Sequence, residues 1–543
     1  MVLELLDLPE DILITCLLHL PLDDIKSCLA AGNRTLSTLI VTAPAIQFRF
    51  EQFAAGVIEN INHPCSCQTT FDRRRALKER ETRWLELAPL HRTRIPVGPT
   101  RIRYVYDLGE HCWVIGPQPA MDDTKIKQLI VYYTHLRGTD KEPRRCVVDS
   151  PDGKSIVDFC LATDMDLIVL ITYSRTGPNQ DLQLYEAHAL SISQNGPHPA
   201  SRNRTIEICR EAVGSGLPHG QYKLRGSTLG ISMAFFDHPH DRTLHLFNWI
   251  TGERTLQKPE SGIPGFIFLD DDLVLQFDNN RGGLQVDSDG KRFTLLLPEL
   301  KATHEIIWET MDCGGQPGLA SAADIVDELG YPAATHFRPD PAQSVFSLVF
   351  CTGPKQMNVD SKTLVLVHRA KMVECLREAI RDRAHGARVP WAEWGPRCTL
   401  WIELPRFVLL GANPRACVGT RFVANESEAI GIHKPTQLTI YDVNPAALAK
   451  ARRMIHVGQG EEEVELENVT IRVVEPDVDA APGQERLRHS AFAERIVSSL
   501  GYVEIKSKEV FHFDSVHMNN ESIVGENWSM EDGVRRLEIL WLG

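Results

Sequence analysis

Few residues in this chain have types and spacings that could do covalent chemistry. Gly226-Ser227-Thr228-Leu229-Gly230 sets two glycines around a serine, but a Gly-x-Ser-x-Gly nucleophile elbow needs the serine at the centre, and here it stands too early. No glycine-rich loop of the P-loop or Rossmann type occurs to cradle a phosphate. His304-Glu305 lacks the second histidine that completes a zinc-protease helix. Asp287-Ser288-Asp289-Gly290 has the carboxylate spacing of a calcium loop. However, the position where such a loop needs its turn glycine is Arg292, so the segment reads as a β-turn between strands. Cys65-x-Cys67 and His238-Pro239-His240 are the tight metal-like pairs, and neither has the further ligands that close a zinc site. Trp391 and Trp394 could stack a ligand, but they read better as buried aromatics, as do Trp249, Trp401 and Trp528. We therefore expect no catalytic set, no metal, no cofactor and no enzyme activity.

The elements that must position any site follow from composition and periodicity. The 543 residues are 43% hydrophobic and 24% charged, as in ordinary globular proteins of several domains. A net charge of −14 argues against a nucleic-acid partner, whose phosphates need clustered Lys and Arg. No apolar run is long enough for a transmembrane helix, so no membrane association is expected. Ile12 to Leu22 has the length of a signal-peptide core. Its flank (Glu4, Asp7, Glu10, Asp11) is acidic where a signal needs basic residues. The thirteen cysteines are scattered and odd in number, which reads as free thiols in the cytoplasm or nucleus; the sequon Asn33-Arg34-Thr35 then carries no glycosylation message.

From about Ile95 onward, short strand-like runs alternate with Gly, Pro, Asp and Asn. Arg101–Tyr106, Leu129–Tyr133, Leu167–Tyr173, Val345–Cys351, Leu438–Tyr441 and Leu537–Leu542 are examples. Phe266–Leu269 and Leu273–Phe277 read as a hairpin across Asp270-Asp271-Asp272. Thr243–Trp249 runs into Thr251-Gly252, like the blade turn of a WD-type propeller, and Asp442-Val443-Asn444-Pro445 is a second worn copy leading into a helix over Ala446–Ile455. The pattern predicts a large all-β domain built as an irregular β-propeller of seven or eight blades, at about 40–50 residues per blade. Paired β-sandwiches are the alternative. Helical insertions are expected near Arg369–Ala384 and Pro482–Ser498, and a mobile acidic loop at Glu461–Glu467.

The N-terminus is different: small and all-α. Leu8, Ile12, Leu13, Cys16, Leu17 and Leu20 fall on one side of a first helix, with Pro9, Glu10 and Asp11 suited to its first turn. A second helix from Asp23 carries Ile25, Cys28 and Leu29 and stops near Gly32, and a third spans Arg34–Ile40. Three short helices cannot bury all these leucines among themselves, so part of this surface must meet the rest of the chain or another protein. A fourth helix after Pro44 carries Ile46, Phe50, Phe53 and Val57. A fifth, Phe71–Ala88, has an apolar stripe of Leu77, Trp84 and Leu85; its Arg/Glu-rich face reads as solvated.

Leu8-Pro9-x-x-Ile12-Leu13, followed by Leu17-x-x-Leu20-Pro21-Leu22-x-Asp24-Ile25, resembles an F-box, the helical module of substrate adaptors in cullin–RING ubiquitin ligases. Ala31-Gly32-Asn33-Arg34-Thr35-Leu36 stands where many F-boxes have a Val-Cys-Arg-x-Trp-like run. The order of parts, with Ile46-Gln47-Phe48-Arg49-Phe50-Glu51 and Pro390-Trp391-Ala392-Glu393-Trp394-Gly395-Pro396, resembles a large group of F-box proteins of basidiomycete fungi. The resemblance implies an F-box at residues 1–45, a helical linker at 46–94 and a β-rich domain at 95–543. It implies a substrate-recognition subunit of an SCF-type (Skp–cullin–F-box) ligase that binds a Skp-family adaptor and, through it, the cullin–RING machinery. The adaptor-binding residues would come from Leu8, Pro9, Ile12, Leu13, Leu17, Leu20, Ile25 and Leu29, and the β domain would hold an unidentified protein substrate. The alternatives are a β-propeller hydrolase with a fortuitous F-box-like start, and an adaptor-bound scaffold outside any ligase.

Overall fold

The computed structural model describes residues 6, 8–60, 68–97, 105–117, 125–134, 144–213, 218–235, 238–260, 265–270, 272–278, 283–288, 290–312, 335–354, 361–404, 416–426, 434–457, 463–476, 491–493, 496–529 and 533–543. It is a seven-bladed β-propeller, 47% strand, preceded by a short all-α region.

Four helices open the chain: α1 (Glu10–His19), α2 (Leu22–Ala30), α3 (Arg34–Thr42) and α4 (Pro44–Ala55). Pro9 and Pro21 stand just before α1 and α2, where a missing N–H costs nothing, and Asn33 caps α3 by accepting from Leu36 N at 3.1 Å. Gly56, at φ +67°, ends α4 in the left-handed conformation that glycine adopts without strain. Val57, expected on the fourth helix, instead opens a strand, Val57–Glu59, because Gly56 turns the chain out of the helix; this strand and α5 (Thr70–Glu86) lead to the propeller.

The first three strands of each blade form an antiparallel meander with the first innermost; the fourth blade adds Arg388–Val389 in parallel, and the sixth is completed by Tyr502–Ser507, Val469–Val474 and Glu463–Glu465 in that spatial order. The seven innermost strands are Tyr106–Leu108, Ser155–Ala162, His219–Arg225, Phe266–Phe268, His304–Asp312, Cys417–Val418 and Ser515–Met518. The seventh blade is completed by His91–Pro96, which pairs antiparallel with Gly533–Trp541 in register from His91↔Trp541 to Pro96↔Arg536. The two ends of the propeller are thus zipped into one sheet, which removes a free edge. This closing strand spans the position where the sequence divided linker from β domain.

The hairpin across Asp270–Asp272 is present, with Phe266 opposite Gln276. At the Thr-Gly turn the Asn248 carboxamide accepts from Ile250 N and Thr251 N, and Gly252 N returns to Asn248 O at 2.7 Å. Its worn copy repeats the device at Asn444, which accepts from Ala446 N at the start of the helix Pro445–Val457. Helix Arg369–Ile380 fills the first expected insertion; the second, Pro482–Ser498, lies mostly outside the described residues, as do Cys65 and Cys67. The expected acidic loop needs correction: Glu463–Glu465 is a strand at the outer edge of the sixth blade, where backbone pairing with Thr470–Arg472 outweighs the repulsion of its acids. Trp113, Trp249, Trp394 and Trp401 are fully buried, and Trp391 meets Trp394 edge to face at 4.9 Å, so these rings are core and offer no stacking surface. Trp528 is half-buried, its indole bound to Glu526.

The meander fixes the two faces of the disc. Turns after the first and third strands of every blade emerge on one face, and turns after the second strand and the blade-to-blade crossings emerge on the other. Gly109–His111, Leu269–Asp272, Gly419–Thr420, Val443–Asn444 and Asn519–Glu521 all belong to the first face.

Candidate functional site

The helical module sorts the predicted contact residues into two sets. Leu13, Leu17 and Ile25 are buried with Leu39, Ile40, Ala43 and Ile46 in a core of its own, and Leu8 and Leu20 pack partly buried against it. At roughly 1.5–3 kcal/mol per buried aliphatic side chain, Leu13, Leu17 and Ile25 hold the module together and cannot also face a partner, whereas Leu8 and Leu20 keep part of their surface exposed. Pro9, Ile12 and Leu29 are left exposed, Ile12 at 44% and Leu29 at 39%. Pro9, Ile12 and Cys16 follow the i, i+3, i+7 spacing of one helix face, and all three are exposed. Val41, Phe53 and Phe71 are exposed apolar residues outside the predicted set. Helical periodicity could have flagged Phe53; nothing in the sequence distinguishes Val41 or Phe71.

The module is braced internally. The Arg49 guanidinium on α4 donates to Leu18 O at the end of α1, and Lys26 on α2 lies 5.2 Å from the centre of the Phe53 ring. Around the exposed ridge, Glu10 and Asp11 in the first turn of α1 and Asp23 and Asp24 in that of α2 are all exposed and suit the positive ends of their helices.

The expectation of a solvated charged face on α5 is overturned. Arg75, Lys78 and Glu79 do point outward, but Arg73 pairs with Glu59 at 2.7 Å and Arg74 grips Glu51 with two bonds of 2.9 and 2.6 Å. Deeper, Arg80 is 3% exposed and donates to Asn520 O and Oδ1 at 2.7 and 2.8 Å. Glu81 bridges Arg80 and Arg421, and Arg421 Nε donates to Asp442 Oδ2 at 3.0 Å with its guanidinium over the Trp84 ring. Burial alone would raise the Glu81 carboxyl, but the Arg421 and Arg80 guanidiniums hold it below the ordinary carboxylate value. Beside them, burial pushes Glu521 up to about 7, with Arg80 opposing. Two arginines thus face two carboxylates, Glu81 and Asp442, and a third, Glu521, whose hold on its proton burial raises, where α5 meets the sixth and seventh blades.

The segment before α5 is equally integrated. Val57–Glu59 pairs antiparallel with Phe337–Pro339, from the connection inside the fifth blade. Asn60 donates to Thr335 O, His336 lies 3.3 Å from Glu59, and Asp340 N donates to Gly56 O. Phe48, Ala55, Val57, Leu77 and Phe337 close a small core across this joint. Asn444 Nδ2 donates to Ala54 O and Gln343 Nε2 to Phe53 O, fastening the end of α4.

Inside the propeller, polar groups are joints. Glu526 is fully buried, accepting from Trp113 Nε1 at 3.2 Å and Trp528 Nε1 at 3.1 Å, with His517 Nε2 at 3.2 Å; this ties the seventh blade to the first. His188 is buried between Thr172 and Thr205, and burial lowers its affinity for a proton. Asp158, on the innermost strand of the second blade, is pushed up to about 7 by burial, with Asp107 adding repulsion. Among the described residues no three His, Cys, Asp or Glu side chains converge as metal ligands, and no helix is long and apolar enough to cross a membrane.

No family model matches the chain, and no curated protein matches it. Several solved structures align with it at low identity. An uncharacterised protein of Listeria monocytogenes EGD-e aligns at 6% identity over 65% of this chain and 82% of its own, with a TM-score of 0.33. The WD40 domain of SCAP from fission yeast aligns at 6% identity over 80% of each chain, with a TM-score of 0.28. Prolyl oligopeptidase B from Galerina marginata aligns at 10% identity over 76% of this chain and 54% of its own, with a TM-score of 0.29.

Proposed function

We propose that the chain is the substrate-recognition subunit of an SCF-type ubiquitin ligase, its helical module docking on a Skp-family adaptor and its propeller holding a protein target. The observation that carries this reading is the ridge of Pro9, Ile12 and Cys16 on α1, with Leu29 on α2. These apolar residues stand in solvent on a module whose own core is already filled by Leu13, Leu17, Ile25, Leu39 and Ile40. The F-box resemblance covers the same residues. The protein would supply proximity, raising the target's effective concentration near the recruited ubiquitin-conjugating enzyme, and would make no bonds itself.

The test is co-purification with the adaptor. Replacing Leu8 and Pro9 by Ala, or Ile12 by Glu, abolishes adaptor binding while the propeller melts as in the parent. Full retention of the adaptor by both variants overturns the reading. Adaptor binding without cullin recruitment in a reconstituted assembly makes the chain a scaffold outside the ligase.

A further inference from the structure

Residues 56–60 and 68–86 do more than connect two domains. The two-stranded ribbon of Val57–Glu59 and Phe337–Pro339 rises from the fifth blade and lies against first-face turns of the sixth and seventh. In the seventh blade Asn520 Nδ2 donates to Phe337 O, and in the sixth a Cβ on Gly419 would stand 3.5 Å from Pro339 and a Cβ on Gly56 would stand 3.2 Å from Thr420. Arg338 also acts electrostatically on Asp164 of the second blade, countering the rise that burial imposes on that carboxyl. The ribbon therefore covers the inner first-face turns from the fifth blade to the seventh. Next to it, α5 is sunk into the same face by Arg80, Glu81 and Arg421 and by the Arg83 Nε bond to Leu542 O at 2.7 Å.

We propose that these stretches are a latch: they cover the inner first-face turns of the fifth to seventh blades and hold the helical module on that face as a single rigid body with the blades. The inference rests on the proposed function only for what the module carries; the latch itself concerns this chain alone. Three independent fastenings support it: backbone pairing of the ribbon, a charge-balanced buried network, and the shared apolar core of Phe48, Val57, Leu77 and Phe337. A tether would need none of them, because a free linker gains nothing from burying ionised groups. The purpose of such rigidity is geometric. A partner on the Pro9–Ile12 ridge is held at one distance and direction from anything bound by the blades, which a flexible linker cannot do.

The experiment measures the distance distribution between two spin labels, attached through bioorthogonal residues at exposed Thr15 on α1 and exposed Asn179 on the far-face turn of the second blade. The full chain gives one narrow distribution. The Arg80→Ala, Glu81→Ala double variant and, separately, the Asn60→Ala, Arg73→Ala variant at the ribbon's edge broaden it at least twofold, while propeller melting and adaptor capture persist. A distribution already broad in the parent, or one that stays narrow in both variants, overturns the latch. Adaptor capture is scored separately, so loss of the proposed function leaves this result readable. If the first variant fails to fold, the second, at a half-buried site, decides.

Discussion

Replacing Glu81 with glutamine tests the latch energetically. The carboxylate accepts from Arg80 Nη1 on one oxygen and from Arg421 Nη2 on the other. Glutamine keeps the shape but removes the charge, and its NH2 group must face one of two guanidiniums that can only donate. Arg80 is 3% exposed and Arg421 8%, so water cannot replace what is lost. Breaking one side of a buried ion pair costs about 3–5 kcal/mol. The Glu81 side chain keeps 22% of its surface, which places the expected loss near the lower end, about 3 kcal/mol. The assay is equilibrium urea unfolding of the full chain, with Glu79→Gln, an outward neighbour on the same helix, as the control that changes stability by less than about 0.5 kcal/mol. The pH dependence has a definite sign. The Glu81 carboxyl is held below its ordinary value in the fold, so its contribution is present above the unfolded value of about 4.3 and disappears as pH falls through the folded value. The parent and Glu81→Gln therefore converge in stability on acidification. A loss no larger than that of Glu79→Gln, or a gap that widens toward acid, would refute the assignment of a charge-balanced joint.

Four further outcomes are expected. Ile25→Ala lowers the melting stability of the helical module by about 2–5 kcal/mol, whereas Ile12→Ala costs less than about 1 kcal/mol, read by thermal unfolding of the same protein; equal losses would place both side chains in one environment. A chain starting after Ala43 keeps a folded propeller. One starting after Pro96, which lacks the closing strand, exposes the edge of Gly533–Trp541 and aggregates or unfolds at 37 °C, read by scattering and circular dichroism. Asp158→Asn stabilises the protein by about 1–3 kcal/mol at pH 8 and has no effect near pH 4. Burial raises the native carboxyl to about 7, so the parent pays an increasing penalty as pH rises between the unfolded and folded values; stability curves against pH for the two proteins decide it. Gly395→Ala drives a Cβ to 2.2 Å from the Trp391 ring and costs about 1–3 kcal/mol, read by the urea midpoint.

Several elements were legible because their causes are local. Pro9 marks the start of α1, and Gly32 and Gly252 sit at positive φ where the helix stop and the blade turn require it. The hairpin across Asp270–Asp272 and the Asn248–Gly252 turn need only their own residues. The acidic strand Glu463–Glu465 was misread because its charge suggested solvent, while its partner Thr470–Arg472 supplies the pairing that orders it. The candidate site was half legible. Periodicity found the apolar face of α1, but a face of Leu8, Ile12, Leu13, Leu17 and Leu20 is wider than one contact can cover, and only packing shows that Leu13 and Leu17 turn inward and Ile12 outward.

From its sequence alone, this chain was determined to be a small helical start followed by a long series of short strands, without a catalytic or metal-binding motif, because strand alternation, helix caps and turn residues act over a few positions. Tertiary structure alone decided that seven blades close through His91–Pro96 against Gly533–Trp541, and that the charged face of α5 is buried where Glu81 meets Arg421 across 340 residues. It also decided which leucines of α1 are spent on the module's own core. The physical reason is common to all three. Burial and charge pairing depend on what chain closure brings opposite each face, and residues hundreds of positions apart leave no mark in the local pattern.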